Sequence, residues 1–189
     1  AGTTTMQDIH STDAVNITVT GTGNDLILHS LIALNGSNGQ AVSLNVADQI
    51  LDGDTDTEAA MDIQAGTVTI IAGAVGTRTD ALDIRVDSLN LTTTIGGAYL
   101  AETDAISVTQ ASVSDELRLS SGGDLALVNT TISGNAQLNV TGTASITSLT
   151  AASIDLQASG TTTLQSVTSR GAVQIIVSGA GHDLMLNNL

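Results

Sequence analysis

The sequence predicts an all-β protein: a parallel β-helix (β-solenoid) of about ten coils, each ~19 residues long. Three observations carry the prediction. Aliphatic and polar residues alternate with a period of two in segment after segment, a glycine-led line of 18 or 19 residues recurs in the second half, and the 189 residues include no Pro, Phe or Trp. Period two marks a strand with one buried face. Recurrence near 20 residues marks a solenoid. Average usage of about 5% predicts roughly nine prolines; a chain whose strands have neighbours above and below cannot spare the N–H groups that proline removes. Identical large rings stacked every ~4.8 Å would overfill a narrow interior.

In chain order, strands are expected at Val15-Asn-Ile-Thr-Val19, Val42-Ser-Leu-Asn-Val46, Leu82-Asp-Ile-Arg-Val86, Leu117-Arg-Leu119, Leu138-Asn-Val140 and Val173-Gln-Ile-Ile-Val177. The best helical candidate is Thr57–Ala65 (TEAAMDIQA), long enough for only a turn or two. The recurring lines begin at Gly123, Gly142, Gly160 and Gly179. After each glycine comes an aliphatic pair or its equivalent (Leu125 and Leu127, Ala144 and Ile146, Leu164, Leu184 and Leu186), then a lone aliphatic (Ile132, Leu149, Val167, Leu189). A second strand follows at Leu138–Val140, Ile154–Ala158 and Ile175–Val177. The Leu-x-x-Leu-x-Leu-x-x-Asn consensus of leucine-rich repeats is not kept, so that solenoid class is set aside.

A longer period lies over this one. Residues 14–31 and 172–189 align without gaps at an offset of 158, with 10 of 18 positions identical. Residues 1–189 therefore read as a single solenoid segment: one 158-residue super-repeat of about eight coils and the opening of the next. Coaxial stacking of such units predicts an axial repeat of ~38 Å.

The charge balance excludes several function classes. Sixteen Asp and three Glu face four Arg, with no Lys, for a net charge of −15. Nucleic-acid binding needs a basic footprint to displace counterions, which is absent, and anionic membrane surfaces are repelled. With no Cys there is no disulfide framework, thiolate zinc site or cysteine nucleophile. No apolar run reaches the ~18 residues of a membrane-spanning helix. The opening Ala1-Gly-Thr-Thr-Thr5 has neither an initiator Met nor a charged-then-apolar signal, so a processed product or a segment of a longer chain is expected. Strict aliphatic periodicity argues against disorder despite the charge.

Residues 50–109 have a second texture: Ile50-Leu-Asp-Gly-Asp54, Met61-Asp-Ile-Gln-Ala65, Thr67-Val-Thr-Ile-Ile-Ala72, Gly73-Ala-Val-Gly76, Asp80-Ala-Leu-Asp-Ile84 and Gly96-Gly-Ala-Tyr-Leu-Ala-Glu-Thr-Asp-Ala105. These segments, alternating with coils such as Gly123-Asp-Leu-Ala-Leu127, resemble the repeat regions of large bacterial surface and secreted proteins of the filamentous-haemagglutinin type. The resemblance implies a parallel β-helix, an extracellular or cell-surface location, and a role as an adhesive or scaffolding fibre.

Chemistry has few candidates. Asp52, Asp54, Asp56 and Glu58 place four carboxylates at alternate positions, a donor set suited to calcium, although the Gly and Glu of an EF-hand loop are missing. Gly21-Thr-Gly-Asn-Asp25 and Gly179-Ala-Gly-His-Asp183 match the skeleton of calcium-binding nonapeptides. Those motifs need tandem copies nine residues apart, so here the glycines are expected to supply positive φ at solenoid corners and the aspartates to bond the turn. Asp83-x-Arg85-x-Asp87 is a tight cluster of mixed charge, expected on an outer face as ion pairs. His10, His29 and His182 are far apart, and Tyr99 is the sole aromatic, so stacking platforms for sugars are scarce. Threonine runs do not recur coil after coil as an ice-binding array would require.

The sequence thus leads to the expectation of a non-catalytic structural or adhesive fibre segment, with calcium as its one candidate cofactor. Its expected partners are itself or adjacent repeats, through end-to-end coil stacking, and a host or neighbouring cell surface or matrix, with no nucleic acid and no membrane insertion. The competing class is a carbohydrate-active or carbohydrate-binding β-helix.

Overall fold

The computed structural model describes residues 2–54 and 61–188, which form an all-β chain without a helix. The first half contributes β1 (Gly2–Ser11), β2 (Val15–Val19), β3 (Asn24–Asn35), β4 (Asn38–Gly39), β5 (Ala41–Val46), β6 (Gln49–Asp52), β7 (Ile63–Ala72), β8 (Ala74–Val75) and β9 (Leu82–Thr93). The second half contributes β10 (Ala98–Glu102), β11 (Ile106–Val113), β12 (Leu117–Ser121), β13 (Leu125–Leu127), β14 (Thr130–Ile132), β15 (Asn135–Val140) and β16 (Ala144–Ala151). It closes with β17 (Ser153–Ala158), β18 (Thr162–Ser169), β19 (Val173–Val177) and β20 (Leu184–Leu186). All six expected strands are present. Among the described residues every ladder is parallel except the small β3–β4 hairpin and a bridge between Thr77 and Asp80.

Parallel pairing of each strand with one roughly a coil later makes a β-solenoid. Tracing partners along one inward column gives Ile9, Leu31, Ile63, Ile84, Glu102, Ser121, Val140, Ala158 and Val177, nine turns in all. From Ile84 on, the steps are 18 or 19 residues, the spacing of the glycine-led lines. The step from Leu31 to Ile63 is 32, because the β3–β4 hairpin and residues 53–62 lengthen that coil. Longer early coils explain nine turns where about ten were expected.

On the opposite side, Ile17, Leu44, Ile70, Leu91, Ala111, Thr130, Leu149 and Val167 form a second column, every member buried. The core is therefore one side chain thick on each face and filled by Leu, Ile, Val, Ala and Thr. At strand spacing, side chains of this size meet their own kind without strain.

The two sides differ in shape, as the burial pattern records. On a straight side inward positions alternate without a break, as at Val42, Leu44 and Val46 in β5. On a bent side two consecutive residues turn outward at a corner, as at His29 and Ser30 between Leu28 and Leu31 in β3, or Gln165 and Ser166 between Leu164 and Val167 in β18. In the first turns β1 and β3 lie on the bent side while β2 and β5 are straight. After residue 98 the roles exchange. β10, β12, β15 and β17 continue the formerly bent side as straight strands, and β11, β16 and β18 bend on the other.

The helical expectation at Thr57–Ala65 fails over Ile63–Ala65, which opens β7; residues 57–60 lie outside the described residues. Ile63 is locked between Leu31 and Ile84 in a ladder, and those long-range bonds outweigh a local preference worth only a turn or two. Glycine is required where coils touch. A Cβ on Gly66 would lie 2.6 Å from the Gly39 carbonyl oxygen, so this pair lets the hairpin seat on β7.

Leu89, wholly buried between Val68 and Val108, tests the packing. Leu89→Ala is expected to cost about 2–5 kcal/mol in chemical denaturation, whereas Thr131→Ala, on the exposed side of β14, is expected to stay within about 0.5 kcal/mol.

Candidate functional site

Gly21 and Gly23 have φ of 98° and 71°, and Gly179 and Gly181 repeat this at 104° and 79°, so the glycines supply the expected positive φ. Asp25 does not bond its own turn as expected. Its Oδ1 accepts the Gln49 N–H (3.2 Å) of the following coil, while the Asn24 side chain closes the turn by donating to the Thr20 carbonyl (2.7 Å).

Of the calcium candidates, Asp52 and Asp54 are described; Asp56 and Glu58 lie outside the described residues. Asp52 ends β6 at the position above Leu28 and is turned into the solenoid, 9% exposed. Its Oδ1 accepts the Asp54 N–H at 2.8 Å, and Asp54 Oδ1 lies 2.8 Å from Nδ1 of His29. Asp62, 2% exposed, hydrogen-bonds to the Asp52 side chain and accepts the Asp83 N–H at 2.7 Å. His29, Asp54, Asp52, Asp62 and the Asp83 backbone thus make a chain of contacts across neighbouring coils, at the base of segment 53–62. Burial above all, with the nearby Asp52 carboxyl adding to it, pushes Asp62 from its ordinary 3.8 up to about 9, so it is protonated at neutral pH. Calcium here would have to compete with His29 for Asp54 and with Asp62 for Asp52. Among the described residues no group of three or more His, Asp or Glu side chains is arranged to hold a metal ion.

A further buried acid, Glu102, is the one carboxylate of the first inward column. Glu102 occupies the level between Ile84 and Ser121, 4% exposed, and accepts the Val86 N–H (3.0 Å) and the Asp104 N–H (3.3 Å). Burial raises it from 4.5 to about 8 against the pull of those donors. It borders a shallow groove of about 530 Å³ lined also by Asn139, Gln157 and Ile176.

The outer-face reading of Arg85 holds, and its guanidinium meets Asp104 of the next coil at 3.2 Å. Both side chains are half exposed, a setting in which an ion pair contributes little. Sequence reasoning missed a corner built from Arg78, Tyr99, Glu116 and Arg118. Arg78 Nη2 meets Glu116 Oε2 at 2.6 Å, Tyr99 donates to the same oxygen at 3.2 Å, and Arg118 is the ladder partner of Tyr99. The coil period was the signal: 78, 99 and 118 are 21 and 19 apart.

The two raised acids give stability a pH dependence. Native Asp62 and Glu102 keep protons that the unfolded chain releases above its ordinary carboxylate range, so their contribution is present at low pH and lost as pH rises toward 8 to 9. The melting temperature is expected to fall between pH 5 and pH 9 and to fall less steeply in Asp62→Asn and Glu102→Gln. Slopes identical to the parent would show that neither acid is proton-loaded in the native state.

No protein-family model, curated protein or solved structure matches this chain.

Proposed function

We propose that the chain is a passive segment of a bacterial extracellular or cell-surface fibre, of the filamentous-haemagglutinin-like kind, that stacks end to end in adhesion or scaffolding and performs no catalysis. The observation that carries this reading is a ladder open at both ends. Among the described residues β1 pairs only with β3 at one end, and β19 and β20 pair only with β17 and β18 at the other, leaving rows of N–H and C=O groups and the exposed Leu184, Met185 and Leu186. Open edges of this kind recruit further strands. The formal net charge of −15 opposes close sideways association of such segments.

The buried acids support a non-catalytic role. Glycoside hydrolysis places two carboxyls roughly 5–10 Å apart with the scissile bond between them. Asp52 and Asp62 are in hydrogen-bond contact inside the solenoid, with no room for a sugar between. The competing carbohydrate-binding reading draws on one place, the shallow 140 Å³ hollow lined by Arg78, Tyr99, Arg118, Ser120 and Asn139, where an acidic sugar would find two guanidiniums and a ring.

Imaging of the native assembly, with molecular mass measured under full denaturation, tests the proposal. Rods with a ~4.8 Å axial spacing are expected. Compact monomers that turn over or bind acidic polysaccharide, with binding lost in Tyr99→Ala or Arg118→Ala, would contradict it in favour of the carbohydrate reading.

A further inference from the structure

The structural partners of the last coil extend the internal repeat in both sequence and conformation. Residues 2–31 and 160–189 align without a gap at the 158-residue offset, with 16 of 30 positions identical, Gly2-Thr-Thr-Thr5 returning as Gly160-Thr-Thr-Thr163. β1 corresponds to β18, β2 to β19, and the start of β3 to β20. The pairing register is also copied. Thr4, Thr5 and Met6 face Leu26, Ile27 and Leu28; Thr162, Thr163 and Leu164 face Leu184, Met185 and Leu186. The same two corner glycines have positive φ in each copy.

Burial separates the copies. Leu26 and Leu28 are fully buried, yet their counterparts Leu184 and Leu186 are 41% and 47% exposed. Conversely, Thr4 is exposed while Thr162 is fully buried. Each copy lacks the neighbour that the other possesses. The cover missing from the last coil is identified by the first: β5 lies on β2 with Val42, Leu44 and Val46 opposite Val15, Ile17 and Val19, and β6 lies on β3 with Ile50 opposite Leu26.

We propose that the bare face of β19 and β20 receives a further copy of this chain's coils from residue 32 onward, its counterparts of β5 and β6 seated in the register they hold here. This inference rests on the fibre reading and specifies its joint. The period is seven and a half turns: seven steps carry Ile9 to Ala158, and β18 lies half a turn beyond, on the opposite side from β1. The exchange of bent and straight sides after residue 98 makes this fit, since β18 bends as β1 does. Successive units therefore advance by ~36 Å and present the same face alternately on opposite sides of the rod, apart from any coiling of the solenoid.

The test lengthens the full chain by one period, fusing a second copy of residues 32–189 directly after Leu189. The product is expected to be one straight rod ~36 Å longer in electron micrographs, melting in a single transition. Leu184→Asp with Leu186→Asp is expected to leave the melting temperature of the 189-residue chain unchanged and to lower that of the lengthened chain, or split its transition. Two bodies joined by a flexible link, or a double variant silent in the lengthened chain, would overturn the joint while leaving native fibres, if imaged, unexplained by it. A well-formed long rod from a protein whose native material is never fibrous would instead overturn the fibre reading and leave the joint standing.

Discussion

Everything in this molecule depends on the parallel ladder between successive coils. Each coil is too short to bury its own apolar face, and its N–H and C=O groups point along the solenoid axis, where only another coil can meet them. The constraint selects the composition. Side chains must repeat at strand spacing, so the interior takes Leu, Ile, Val, Ala and Thr, excludes Phe and Trp, and tolerates no Pro. It also explains how an insertion is absorbed: the hairpin at Asn35 and Asn38 pairs outside the parallel ladder, and the column goes from Leu31 to Ile63 across 32 residues of sequence.

The same constraint makes the buried acids intelligible. An inward column has a place at every level, and at Glu102 that place holds a carboxyl, which is tolerated because backbone N–H groups of Val86 and Asp104 point at it and because it can hold a proton. Asp52 and Asp62 share a proton-bearing contact at the point where the longest coil leaves and rejoins the stack. All three read as fittings of the solenoid, and Asp62 and Glu102 cost it stability progressively as pH rises from about 5 toward 8 to 9.

Legibility in the sequence followed the range of the interactions involved. The strands were readable because period two is local, and the coil length because glycine corners recur in the second half. Glu102 was readable in principle, standing two residues beyond Leu100 on the inward alternation of β10. Asp62 was not: it is buried directly beside buried Ile63, which breaks the period-two alternation that marks an inward position. Thr57–Ala65 looked helical for the same reason, since the residues that draw Ile63 into a strand lie 32 behind and 21 ahead. The Arg78–Tyr99–Glu116 corner needed the coil register before its members could be set side by side, whereas the repeat of residues 2–13 stands in the sequence at the same 158-residue offset.

Residues far apart in sequence stand in one axial column, a coil spacing apart. Thr18, Asn45, Ile71, Thr92, Ser112, Thr131, Thr150 and Thr168 form such a column on the outside, seven steps long. Because the chain has no cysteine, spin labels can be placed on Thr18 and Thr168 alone through introduced thiols. Pulsed electron–electron resonance should give a narrow distance distribution centred near ~34 Å, before allowance for the label arms. A broad distribution, or a narrow one far from that value, would contradict the stacked-coil account.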